Sequence, residues 1–177
     1  MENPYQAPSA RLEQSVTSPD INSLDISETW KRRFRLIEQA GPYVKGNYRN
    51  IKSLTPKERR AIGFNALAFI FSIIYYFAKG MPKKALALLG ISWLFAAAIT
   101  ITEVVFQYSA PNTLFWIPVS AIAGVLANQD YYQKAVKGQD MWLSLNILKA
   151  WPVIILFTIL SFTALAAAIA WQYDIQY

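Results

Sequence analysis

Residues 150–173 form one unbroken run of apolar and small side chains without a single charge. About 20 such residues at 1.5 Å rise cover the roughly 30 Å of a bilayer's hydrocarbon core. Trp151 and Trp171 stand near the two ends of the run, where an indole on each interface is expected. A chain committed to such a segment is a membrane protein before anything else about it is known.

Charge is distributed to match. Residues 1–60 carry 11 Lys/Arg and 7 Asp/Glu, whereas the longer stretch 61–177 carries only 6 and 4. The mean hydropathy of +0.22 therefore averages a polar head with a very apolar body. A soluble domain built from that body would have too little polar surface to cover itself. The fold class expected is an all-α membrane protein with three to four transmembrane helices, preceded by an N-terminal amphipathic cytoplasmic helix.

Three regions follow. Residues 1–26, with three prolines and many Ser, Asn and Gln, have no period and read as a disordered polar tail. Residues 27–60 are a basic cytoplasmic region. Its helix is expected over about 28–40, with Ser27 as N-cap, Glu28 in the first turn and Gly41-Pro42 as the stop. Trp30, Phe34 and Ile37 make a narrow apolar stripe there. Residues 61–177 are the helical membrane domain, with segments at about 61–78, 85–108, 112–128 and 150–173. Thr55, Pro56 and Glu58 spell a capping box that starts a helix running into the first of these.

Lysines argue over the first segment. If all four segments span, Lys79, Lys83, Lys84, Lys134, Lys137 and Lys149 fall outside, against the positive-inside rule. If 61–78 instead re-enters or lies at the inner interface, every Lys and Arg falls inside. The re-entrant arrangement is preferred, although 18 apolar residues are just long enough to span.

The chemistry expected is narrow. The chain has no Cys and no His, which removes thiol nucleophiles, zinc and haem ligands and every Ser-His or Cys-His dyad. No Gly-rich phosphate loop is present, and the four acids beyond residue 60 are widely separated. No enzyme, metal or cofactor is expected.

Three sets of residues stand out. Thr100, Glu103 and Gln107 line one helical face and form a candidate intramembrane polar stripe, since a carboxylate in a span is expensive. The competing reading has Glu103 wetted near the outer interface. Ser120, Gly124 and Asn128 stack as a small-residue face for helix packing or for a partner. Trp30, Lys31, Arg32, Arg33, Phe34, Arg35, Arg59 and Arg60 are candidate contacts to anionic lipid headgroups, within a stretch of net charge +8 from Trp30 to Arg60.

The run Gly63-Phe64-Asn65-Ala66-Leu67-Ala68-Phe69-Ile70-Phe71, continued by Tyr75-Tyr76 and Lys79-Gly80-Met81, resembles the hallmark of a family of small bacterial inner-membrane proteins known as a domain of unknown function. Trp30 to Phe34 and Asn128 to Tyr131 resemble two further elements of that family. The hallmark commonly carries an aromatic and Arg where this chain has Ala78-Lys79. The resemblance implies a multipass helical protein of the bacterial inner membrane and no reaction.

The expected function is non-enzymatic: an accessory, regulatory or protective binding partner of a membrane complex, N-terminus cytoplasmic. Its partners would be the anionic inner leaflet and another membrane protein or a second copy, and not nucleic acid. The alternatives are a small transporter or channel using Glu103, and an immunity or phage-exclusion protein.

Overall fold

The computed structural model describes residues 20–44 and 46–176, the side chains of 175 and 176 excepted. Among them are six α-helices, α1 (Glu28–Ala40), α2 (Pro56–Gly63), α3 (Ala66–Ala78), α4 (Pro82–Phe106), α5 (Ile117–Lys137) and α6 (Trp151–Gln176). A two-residue hairpin, β1 (Tyr43–Val44) and β2 (Asn47–Tyr48), follows α1. Three stretches are long and apolar enough to cross a membrane: Pro56–Ala78, Pro82–Phe106 and Trp151–Asp174.

Most expected local signals appear. Gly41 ends α1 at a φ of 76°, a conformation Gly adopts without steric cost. The Thr55 capping box forms, with Thr55 N donating to Glu58 Oε2 at 2.9 Å and Glu58 N to Thr55 Oγ1 at 3.4 Å. The tail expected over 1–26 lies outside the described residues up to residue 19. From Asp20 the chain is folded: Asp20 Oδ1 accepts from Asn22 N, and Ile21 is buried in the core beside Phe34.

The helix that starts at the Thr55 capping box breaks twice before residue 78. It stops at Gly63, because Asn65 leaves the helix to cap α3 and its backbone N–H donates to Gly124 O on α5 at 2.8 Å. It breaks again at Ser72, whose φ of 40° and ψ of −110° lie outside helical space. Contacts along α5 show the result. Asn65 and Phe69 sit at Gly124, and the Phe69 ring faces Trp116, 6.4 Å away. Tyr76 then bonds Asp130, and Lys79 lies at Lys134. The chain thus runs toward the start of α5, turns at Ser72 and returns. Each arm has six residues, about 9 Å of helix.

α4 and α6 run parallel, from Lys83 Nζ over the Trp151 ring (5.4 Å), through Thr158 Oγ1 donating to Leu86 O (3.4 Å), to Trp93 against Phe162 (5.2 Å). The Phe157 ring lies on Gly90, where a side chain would leave it no room. α5 runs antiparallel to α4, its end bonded to the start of α4 through Asp130 and Lys84. Every Lys and Arg among the described residues therefore gathers at one end, with α1, α2, the 79–84 turn and the 134–149 region. The other end has Glu103 and the 107–116 connection.

α5 is longer than the apolar segment 112–128 suggests: a 3₁₀ turn covers Asn112–Phe115, and helix continues to Lys137. The extension exists because α1 covers it. Trp30 meets Tyr131 edge-on at 4.7 Å, and Phe34 meets Tyr132 at 5.4 Å. This corrects the expectation of a helix laid into the headgroups. The apolar stripe of α1 is buried against protein, with Phe34 wholly enclosed and Ile37 nearly so.

Candidate functional site

Two polar clusters hold the α3 hairpin to the bundle, two residues apart on α5. Asn128 is the first centre. Its Oδ1 accepts from Asn65 Nδ2 (2.9 Å), and its own Nδ2 donates to Ile62 O (3.1 Å) and Ala61 O (3.2 Å), the last carbonyls of α2. Asn65 Nδ2 also donates to the Tyr75 hydroxyl at 2.8 Å, while Asn65 Oδ1 accepts from Ala68 N at 3.1 Å. One residue thus ties the entry of the hairpin, its exit and the return helix. Both amides are buried with partners on each side, as buried amides must be to avoid a desolvation cost of a few kcal/mol.

Asp130 is the second centre. Lys84 Nζ, from the first turn of α4, donates to Asp130 Oδ1 at 2.8 Å. Trp142 Nε1 donates to the same oxygen at 2.7 Å, and the Tyr76 hydroxyl donates to Oδ2 at 2.8 Å. Lys84 Nζ also lies 5.8 Å from the Trp142 ring centroid. Lys84 is 1% exposed and Asp130 3%. A pair this deep repays its desolvation only when further hydrogen bonds meet its remaining oxygens and protons, and here both carboxylate oxygens are met. Four segments converge on one carboxylate: α3, α4, α5 and the stretch after α5.

The three expected sets fare differently. Ser120, Gly124 and Asn128 are buried together, and they pack the chain's own hairpin. A Cβ on Gly124 would stand 2.8 Å from the Phe64 ring and 3.0 Å from Phe69 Cβ, so only Gly lets the hairpin come this close. Thr100, Glu103 and Gln107 stand in three different surroundings. Thr100 is buried, Gln107 is exposed at the left-handed C-cap of α4, and Glu103 Oε1 accepts from Ala110 N at 2.7 Å. Glu103 closes the turn after α4.

Of the headgroup candidates, Phe34 is enclosed by protein and Trp30 is half-buried against Phe34 and Tyr131. Lys31 pairs with Glu28 at 3.1 Å, Arg35 binds Asn22, and Arg59 Nε donates to Leu54 O at 2.8 Å. Arg32, Arg35, Arg59 and Arg60 keep exposed side chains on the basic end, and Arg33 is half-buried over the Trp30 ring at 4.9 Å.

Lys84, Asp130 and Trp142 were not singled out from the chain alone. The available signal was a lysine inside the first turn of a long apolar helix and an aspartate two residues past the Asn128 face. Each demands a partner if buried, but sequence spacing does not say which.

The chain is 36% identical over 129 residues to the uncharacterized protein YigF of Salmonella typhimurium, and 33% identical over 132 residues to that of Escherichia coli K12. Each alignment covers 69% of this chain and 94% of the relative. No solved structure matches the chain. The profile of a protein family of unknown function, DUF2628, matches residues 14–137, a span that holds Asn65, Tyr76, Lys84, Asn128 and Asp130 and ends before Trp142 and α6. The chain belongs to the DUF2628 family.

Proposed function

We propose that this chain is a multipass protein of the bacterial inner membrane that works by binding, without catalysis, as an accessory, regulatory or protective partner of a membrane assembly. In this reading α4, α5 and α6 cross the bilayer. The α3 hairpin enters from the basic, cytoplasmic side and returns to it. Arms of about 9 Å are far too short to cross some 30 Å of hydrocarbon, and the positive-inside rule is obeyed by every described Lys and Arg.

One observation carries the binding reading. The cap made by α1, α2 and the β1–β2 hairpin is braced on the membrane helices by the Asn128 centre and by Trp30 and Phe34 on Tyr131 and Tyr132. A cap held this firmly offers a fixed cationic surface, with Arg32, Arg35, Arg59 and Arg60 outermost. Fixed surfaces bind with little ordering cost. Crosslinking in cells, followed by purification in mild detergent and mass spectrometry, is the test. Reproducible enrichment of one membrane protein, lost when Arg32, Arg35, Arg59 and Arg60 are changed to Gln, is expected. A lone monomer with no enriched partner would reject the proposal.

A further inference from the structure

Between α1 and α2 lies a cleft of about 150 Å³ lined by Thr29, Arg32, Arg33, Leu36, Lys57, Glu58 and Ala61. Its single carboxylate is already committed, since Glu58 Oε2 accepts from Thr55 N at 2.9 Å and from Thr55 Oγ1 at 2.7 Å. The ion pairs among the described residues are Lys31–Glu28, Lys83–Asp140 and Lys84–Asp130, and none involves Arg32, Arg33 or Lys57. A fourth cation stands behind the cleft: Lys79 Nζ sits 4.9 Å from the centroid of the Trp30 ring that Arg33 also covers, and 4.8 Å from that of Tyr131. Burial, and then the charge of Arg33, hold the Lys79 ammonium below its ordinary range. Hydrogen bonds from Thr55, and then the charge of Arg32, hold the Glu58 carboxyl below its ordinary range; one carboxylate against Arg32, Arg33 and Lys57 leaves the cleft with a surplus of positive charge.

We propose that the cleft binds a phosphate group. The guanidinium groups of Arg32 and Arg33 are donors suited to phosphate oxygens. Lys57 adds a mobile positive charge, Thr29 a hydroxyl, and Leu36 and Ala61 an apolar wall. The phosphate comes from one of two sources with the same chemistry, a phospholipid headgroup at the cytoplasmic leaflet or a soluble phosphate ester. The lipid source rests on the orientation proposed above and Arg32 is shared with the proposed partner surface, so the test reads phosphate binding by the purified chain alone, whose failure leaves the partner reading standing.

The test uses the full chain, purified in detergent without anionic lipid. Inorganic pyrophosphate is the soluble probe. Nanodiscs of phosphatidylcholine with and without phosphatidylglycerol are the lipid probe. The cleft variant is Arg32→Gln/Lys57→Gln, both exposed. The control is Arg49→Gln/Lys52→Gln, which removes the same charge from exposed positions outside the cleft. The cleft variant should weaken binding about tenfold or more, the order expected for losing charge-assisted hydrogen bonds, while the control stays within about twofold. That pattern with pyrophosphate assigns a soluble phosphate, and with phosphatidylglycerol nanodiscs alone it assigns the lipid. Equal weakening by both variants, or no binding of either probe, overturns the proposal.

Discussion

Changing Asp130 to Asn removes a charge and almost nothing else. With its oxygen at the Oδ1 position the amide keeps Trp142 Nε1, which now stands 2.7 Å away, and its NH2 at the Oδ2 position donates to the Tyr76 hydroxyl, now 2.8 Å away, which turns from donor to acceptor. Lys84 is left as a buried ammonium without a counter-ion. Removing one partner of a buried pair typically costs about 3–5 kcal/mol, whereas removing both charges together often costs little. Asp130→Asn should therefore destabilise the fold by about 3–5 kcal/mol, and Lys84→Met added to it should recover about 2 kcal/mol or more. The two residues touch, so their effects are expected to be strongly non-additive. Reversible unfolding in mixed micelles with increasing SDS, followed by tryptophan fluorescence, gives both numbers. The reasoning fails if Asp130→Asn costs under about 0.5 kcal/mol, the range of an ordinary surface change, or if the double variant is simply the sum of the singles.

Four further outcomes follow. Ser72→Gly should stabilise the protein by about 1 kcal/mol in the same assay, because it relieves a positive φ and removes a buried hydroxyl oxygen with no partner among the described residues. Gly124→Ala should cost about 1–3 kcal/mol, since its Cβ meets the Phe64 ring and Phe69 Cβ. Glu103→Gln keeps an acceptor for Ala110 N and should leave both folding and any proton or cation flux in proteoliposomes unchanged. Tyr132, near the C-terminal end of α5, is pushed up to about 12 by burial and by the nearby Glu38 carboxylate. Its folded value lies above its unfolded value of about 10. The stability it gives is thus complete below pH 10 and lost as pH rises toward 12. Absorbance at 295 nm should show a late-titrating phenol that Tyr132→Phe deletes.

Much of this fold was legible because its signals are local. The capping box at Thr55, the Gly41 stop and the charge-free run of α6 need only neighbours within a turn or a plain count of charges. The preference for a re-entrant first segment rests on lysine positions; the breaks at Asn65 and Ser72 are what the structure adds, in a stretch, Pro56–Ala78, that is also long and apolar enough to cross. Their exact places were hidden, since nothing around Ser72 spells a turn and Asn65 breaks the helix only because Gly124 and Asn128 await it from α5. The stripe of α1 was read correctly as apolar and wrongly as lipid-facing. An amphipathic pattern records that a face is buried, and the aromatic pair Tyr131 and Tyr132 that buries it lies a hundred residues away. For the same reason the family hallmark looked like three unrelated patches. They meet only in three dimensions: Asn65 and Tyr75 at Asn128, Tyr76 at Asp130, and Trp30 on Tyr131.

The central claim is that the chain leaves α3 on the side from which it entered. The protein has no cysteine, so single cysteines at Ser53, Ala78 and Ser109, all exposed, report their own side. Spheroplasts treated with a membrane-impermeant maleimide should label Ser109→Cys at once, and leave Ser53→Cys and Ala78→Cys unlabelled until the cells are lysed. Labelling of Ala78→Cys in intact spheroplasts, with Ser53→Cys still protected, would mean that residues 56–78 cross the membrane and would contradict the account.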